Sequence, residues 1–177
     1  HATVLLGLAD VVQKNRGKIS GTIRLLFQPA EESLGGALSL IKAGALENPE
    51  PIGIVGLHVW PETPVGSVAF FHGPMMAAAD SFKIIVKGKQ GHGAHPHHCI
   101  DSIMIAGQII NGIQTIVSRE KPPLNPGVIS LGSIHGGEAP NIIPERIIME
   151  GTLRALNQEM RDFLKRSLER IVRLTAE

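Results

Sequence analysis

Tyrosine is absent from the 177 residues, and phenylalanine is sparse, at five. No pocket can be read from the aromatic residues. The single cysteine, Cys99, excludes an internal disulfide framework and suits a reducing compartment, with the cytoplasm as the default location. An excess of one charge is missing too. Lys and Arg total 17 against 16 Asp and Glu, a net charge of +1. That balance points to neither nucleic acid nor a membrane surface as a partner. No apolar run approaches the ~20 residues of a membrane-spanning helix. No internal repeat or low-complexity tract occurs. What remains is 43% hydrophobic and 19% charged residues, the mix of a globular chain with room for one ordinary domain or two small ones. The first residue is His1, and the last helical pattern runs to Glu177 without a stop signal. Truncation at both ends is the expectation.

The pattern alternates between helix and strand. Val4, Leu5, Leu8, Val11 and Val12 recur at helical spacing before Gly17. Thr22 to Gln28 reads as a buried strand closed by Pro29, and Ile52 to Val59 as a second; Gly66 to Phe71 is a candidate third. Gly35 to Ala45 between them reads as a helix. This order predicts an α/β layer with a mostly parallel sheet over residues 1–75. Past Gly73-Pro74 the texture changes. Ser81 to Lys87 alternates apolar and polar residues as a half-exposed strand does. A Gly/His-rich loop follows over 88–98, then a long apolar helix over 100–117. Strands over 128–134 and 146–153 come next, then an amphipathic helix marked by Met160, Leu164, Leu168 and Ile171. The order β-α-β-β-α over residues 76–177 is a ferredoxin-like α+β unit lacking its last strand.

Three groups of residues carry chemistry. Glu31 and Glu32 follow the first apolar strand in FQPAEE, at the strand end where open α/β sheets bind ligands. Adjacent carboxylates repel unless a cation neutralises them or one stays protonated, and a metal site resolves that cost. The plain alternative is a polar loop before a helix. His58 closes the next strand in GLHVWP and would share that sheet edge as a metal ligand; alone, it reads as a hydrogen-bonded structural histidine. His92, His95, His97 and His98 crowd GHGAHPHH. Such a tract can bind metal, or a loop histidine can donate a hydrogen bond to a developing oxyanion, or the loop is simply solvated. His92, flanked by glycines, is the favoured functional residue, and His98 reads as incidental.

The motifs HATVLLG, LLFQPAEE, GLHVWP, GKQGHGAHPH, APNIIPE and GTLR occur in that order along the whole chain. Together they resemble the zinc-peptidase superfamily of aminoacylases and carboxypeptidases. The nearest likeness is to the amidohydrolase branch of hippurate hydrolase and indole-acetyl-amino-acid hydrolases. The resemblance implies metal-dependent hydrolysis of the amide bond of N-acyl amino acids or dipeptide-like substrates. It makes residues 1–75 part of a metal-binding catalytic domain and residues 76–177 a lid and dimerisation domain. By the same resemblance Glu31 is the general base, Glu32 and His58 are metal ligands, and His92 steadies the oxyanion in a partner subunit. Asn141 and Arg154 are implied in substrate binding, an arginine fork suiting a free carboxylate. The implied cofactors are two divalent ions, zinc or manganese, with cobalt or nickel also accepted by such donors.

The family's Cys-Gly-His-Asp segment, just upstream of His1, and its last histidine ligand are absent from this stretch, so the fragment alone is expected to be inactive. His1 is not counted as a ligand. The family's common Asp-Pro after the histidine loop reads Asp101-Ser102 here. A homodimer through the lid is expected, with the stripe of Ile103, Ile110, Ile113 and Val117 as surplus apolar surface. A catalytically inactive binding protein on the same fold is the competing reading.

Overall fold

A computed structural model describes residues 1–32 and 35–177. The chain divides into two compact units, His1–Ala69 and Phe70–Glu177.

In the first unit, helix α1 spans Ala2–Lys14 and helix α2 spans Gly36–Lys42. The segments expected as strands at 22–28, 52–59 and 66–71 join no hydrogen-bonded ladder. Val55 is 97% exposed and Val68 is 67% exposed. The reason is physical. Strands this apolar are stable when both edges are paired and both faces covered, as in a parallel sheet. The described part of residues 1–69 supplies neither paired neighbouring strands nor a covering layer.

The second unit forms as the pattern predicts. Strand β1 (Ala78–Lys87) and the two-residue strand β2 (Gly91–His92) lead into helix α3 (Ser102–Thr115). Strands β3 (Gly127–His135), β4 (Ile142–Ile143) and β5 (Arg146–Ala155) follow, then helix α4 (Gln158–Ala176). The main sheet has the order β1-β5-β3, antiparallel throughout. β1 and β3 are therefore parallel, with α3 as their crossover and β5 inserted between them, the ferredoxin-like arrangement. A second ladder pairs β2 with β4. β1 begins three residues earlier than the alternation suggests, because Ala78 to Asp80 pair with Leu153 to Ala155.

Both helices start where their caps dictate. Asp101 accepts hydrogen bonds from the amides of Ile103 at 2.9 Å and Met104 at 3.1 Å. Asn157 accepts one from Met160 at 2.8 Å. These side chains satisfy amides that a helix start leaves open. α3 and α4 then pack over one face of the sheet. Ile109, Ile113 and Ile116 meet Met160 and Leu164 from α4 and Met149, Ile147 and Leu153 from β5, all buried. Each such side chain contributes roughly 1.5–3 kcal/mol by leaving water.

The apolar stripe expected as a dimer surface is mostly used up here. Ile113 is buried, and Ile110 and Val117 pack against the core, which leaves Ile103 exposed. A helix lying on a sheet turns a broad face inward, wider than the stripe assigned to the sheet from sequence.

One ion cluster ties α4 to the edge of the sheet. Arg161 grips Asp80 with two hydrogen bonds, Nε to Oδ2 at 2.6 Å and Nη2 to Oδ1 at 2.7 Å. Lys165 Nζ adds a contact to Oδ1 at 2.9 Å. The hydrogen bonds from Arg161 and Lys165 hold the Asp80 carboxyl well below the usual carboxylate range, against the opposing effect of its burial. Because the folded pKa is depressed, this contribution is complete above the unfolded value of ~3.9 and is lost as pH falls below it. Asp80→Asn should therefore destabilise the unit by about 1–2 kcal/mol at neutral pH. It should also flatten the acid side of the stability curve below pH ~4. Urea unfolding at pH 7 and pH 3 checks both: equal losses at the two pH values would refute the charge-based account.

Candidate active-site residues

The six residues singled out in the sequence fall in both units. In the first, Glu31 and Glu32 lie in an exposed turn. His58 is exposed, with its Nδ1 2.6 Å from the carbonyl oxygen of Val59. Its ring stands 4.8 Å from that of His1, whose Nε2 accepts a hydrogen bond from the Val59 amide at 3.2 Å. Thus His1, set aside as a ligand, braces the backbone beside His58. Among the described residues, no three His, Cys, Asp or Glu side chains form a group able to hold a metal ion. Glu32 and His58 alone are two donors where a closed tetrahedral site uses four. The residues present do not by themselves make a metal centre.

In the second unit, two sequence motifs come together. β2 and β4 pair so that His92 lies opposite Ile142 and Gly91 opposite Ile143. The Gly93 amide then donates to the carbonyl of Asn141 at 2.8 Å. That bond places GHG beside NIIP, so His92 and Asn141 flank one short ladder. The approach is close: a Cβ at position 93 would lie 3.2 Å from the Asn141 oxygen, so a side chain there would press the two segments slightly apart. The loop arriving from β3 turns through Gly137 at φ +82°, a conformation open to glycine without strain.

His92 is exposed, and its ring is oriented by its own turn. The Ala94 amide donates to His92 Nδ1 at 3.1 Å. A neutral imidazole that accepts at Nδ1 carries its proton on Nε2. His92 therefore presents an N–H donor outward, which is what stabilising a developing oxyanion requires.

Two supporting residues were not found from sequence. Ala94 acts through its backbone amide, so its side chain carries no signal. Ser102 is fully buried, and its hydroxyl donates to the Pro144 carbonyl at 2.7 Å. The Asp101-Ser102 pair thus joins the start of α3 to the NIIP segment. The departure from the family's Asp-Pro could have flagged it.

Arg154 is not brought to this corner. It lies at the far end of β5, opposite Ala79 and Val128, and its Nη1 donates to the Leu153 carbonyl at 3.1 Å. The eight residue steps along β5 from Arg146 to Arg154 span about 27 Å. A groove of about 440 Å³ between β1 and α4, floored by Leu153 and Leu168, contains none of the six residues.

Residues 78–177 match the model of the peptidase dimerisation domain. The chain belongs to the M20 peptidase family. It is 45% identical over 174 residues to thermostable carboxypeptidase 1 of Saccharolobus solfataricus, covering 97% of this chain and 44% of that protein. It is 42% identical over 165 residues to N-acetyl-L-cysteine deacetylase of Bacillus subtilis, covering 93% of this chain and 39% of that protein. It also superposes on a dinuclear metal binding M20 peptidase from Bacillus subtilis with a TM-score of 0.74 and 34% identity. There the match covers 97% of this chain and 42% of the other. The chain thus spans less than half the length of these M20 relatives. Among the described residues, no helix is long and apolar enough to cross a membrane.

The tautomer of His92 is directly measurable. In ¹⁵N spectra of the histidine rings at neutral pH, Nδ1 of His92 should appear as the unprotonated nitrogen and Nε2 as the protonated one. An even mixture of the two tautomers would show that the Ala94 amide does not orient the ring.

Proposed function

We propose that the protein carrying this chain is a metal-dependent amidohydrolase that releases an amino acid from an N-acyl amino acid or a dipeptide-like substrate. The observation that carries the reading is the His92 donor, held in one tautomer beside Asn141. It is supported by FQPAEE and GLH in the first unit and by relatives whose names include a deacetylase and carboxypeptidases. Residues 1–75 act as part of the catalytic domain and 76–177 as the lid.

In this reading Glu31 takes a proton from the attacking water and passes it to the leaving amine. His92 donates from Nε2 to the oxyanion as the tetrahedral species forms. Asn141 positions the substrate amide next to it, and Arg154 receives the free carboxylate with its fork. Asn141 lies before the start of β5 and Arg154 near its far end, so in this reading they serve one substrate from two copies of the lid, or two substrates in two sites. Two divalent metal ions, zinc or manganese, with cobalt or nickel as substitutes, would polarise the scissile carbonyl in the intact enzyme. Glu32 and His58 would help to hold them.

The test is hydrolysis of hippurate and related N-acyl amino acids by the full-length protein, with and without added Mn²⁺ or Zn²⁺. Wild type should turn over only with metal. Glu31→Gln should lower kcat by about 10²–10⁴-fold. His92→Ala should lower it by about 10²–10³-fold with little change in KM. A full-length protein that binds no metal and cleaves no amide would leave the inactive binding-protein reading in its place.

The lid is also proposed to form a homodimer. Both outer edges of the sheet, on β1 and β3, are unpaired among the described residues. Unpaired edges invite a second chain. Sedimentation at micromolar concentration should give a dimer; a monomer throughout would also remove the role of His92 in a partner's site.

A further inference from the structure

The corner that holds His92 and Asn141 has a gap in its ladder. Two segments meet there, 88–93 and 141–145. The Gly88 amide donates to the Glu145 carbonyl at 2.7 Å, and the Gly93 amide donates to the Asn141 carbonyl at 2.8 Å, with the β2–β4 pairs between them. Pro144 falls inside this run and has no N–H to give. On the other segment, Lys89 turns away and exchanges two backbone bonds with Ile100, at 3.0 and 3.1 Å. Among the described residues, no backbone amide is left to donate to the Pro144 carbonyl. Pro144 is buried, and a buried carbonyl without a donor costs stability.

Ser102 fills the gap. Its side chain is fully buried, and its hydroxyl donates to the Pro144 carbonyl at 2.7 Å. The residue that carries this hydroxyl is itself held. It opens α3, directly after the Asp101 cap. A Cβ added to Gly88 would lie 3.2 Å from that of Ser102, so the serine packs closely on the first segment while its hydroxyl grips the second. One small side chain thus bridges the two arms that carry His92 and Asn141.

We propose that Ser102 is a positioning residue for the reaction. Its hydroxyl, acting through Pro144, fixes the 141–145 arm and so sets Asn141 against His92. Asn141 and Pro144 lie on one short arm, and a shift at Pro144 is passed along the backbone to Asn141. Misplacing a working group by about 1 Å can lower a rate by as much as ~10²-fold. Ser102 touches no reacting atom in this account; it acts only through the two residues it holds. Its part in turnover rests on the amidohydrolase reading above, whereas its hold on the corner does not.

The test compares full-length wild type with Ser102→Ala and Asp101→Ala. Both substitutions touch the start of α3, but only the first removes the bond to Pro144. Hydrogen exchange is followed by mass spectrometry over residues 88–95, which include the Gly88 and Gly93 amides, and over β5 as a control for global stability. In Ser102→Ala, exchange over 88–95 should quicken roughly 10-fold, as expected when a buried acceptor loses its donor, with β5 unchanged. Its kcat on N-acyl amino acids should fall roughly 10-fold with KM nearly unchanged, the pattern of an interaction made in the transition state. Asp101→Ala removes the helix cap and should keep kcat near that of wild type. Unchanged exchange over 88–95 in Ser102→Ala would overturn the proposal, as would an equal rise over β5, an unchanged kcat, or an equal loss of kcat in Asp101→Ala. A wild type that cleaves no amide would sink the amidohydrolase reading instead, and exchange over 88–95 would still decide whether Ser102 holds the corner.

Discussion

Strand β5 is hydrogen-bonded over its whole length to β1 on one side and along most of it to β3 on the other, and the rest of residues 70–177 depends on that double ladder. A β-strand cannot leave its amides unpaired in a buried layer. Once β5 is paired on both sides, its inward residues Ile147, Met149, Leu153 and Ala155 form a continuous apolar floor. The two helices can then bury their apolar stripes against one surface. The Asp80–Arg161–Lys165 cluster fastens α4 at the rim of that surface. Among its described residues the first unit has no equivalent of β5. Its apolar segments resemble strands in sequence, yet no ladder fixes them.

The candidate chemistry in the second unit follows from the same constraint. β5 begins at Arg146, so the chain just before it, NIIPE, must arrive at one particular end of the sheet. β1 ends at the same place, opposite Arg146, and the histidine loop leaves from there. The short β2–β4 ladder is the meeting of these two exits. It sets His92 beside Asn141, while the Ala94 amide fixes which ring nitrogen carries the proton. Ser102 adds a buried hydroxyl that holds the Pro144 carbonyl. The pairing of two motifs about fifty residues apart is thus a consequence of sheet topology.

Much of the second unit could be read from residue patterns. Alternation over Ser81 to Lys87 and the helical spacing of Met160, Leu164 and Leu168 each report one buried face, and burial is what the structure shows for Ile84, Val86, Met160 and Leu164. The two-residue strands β2 and β4 could not be read that way, since they are too short to express a period. The inward face of α3 is wider than its spacing suggests. Ile110 and Val117 look surplus when counted against a sheet but pack against the buried core. In the first unit the reverse happened. TIRLLFQ and IGIVGLHV have the composition of buried strands, but composition supplies no partner.

The sequence by itself determined the β-α-β-β-α order, the caps at Asp101 and Asn157, and the identity of the residues able to do chemistry. Those properties are local: a period, a side-chain acceptor, a titratable group. Tertiary structure alone decided which of them meet. It joined His92 to Asn141, left Arg154 at the far end of β5, and gathered His95, His97 and His98 on one turn. Register and crossover set these distances, and they depend on contacts between residues far apart in the chain, which no local pattern records.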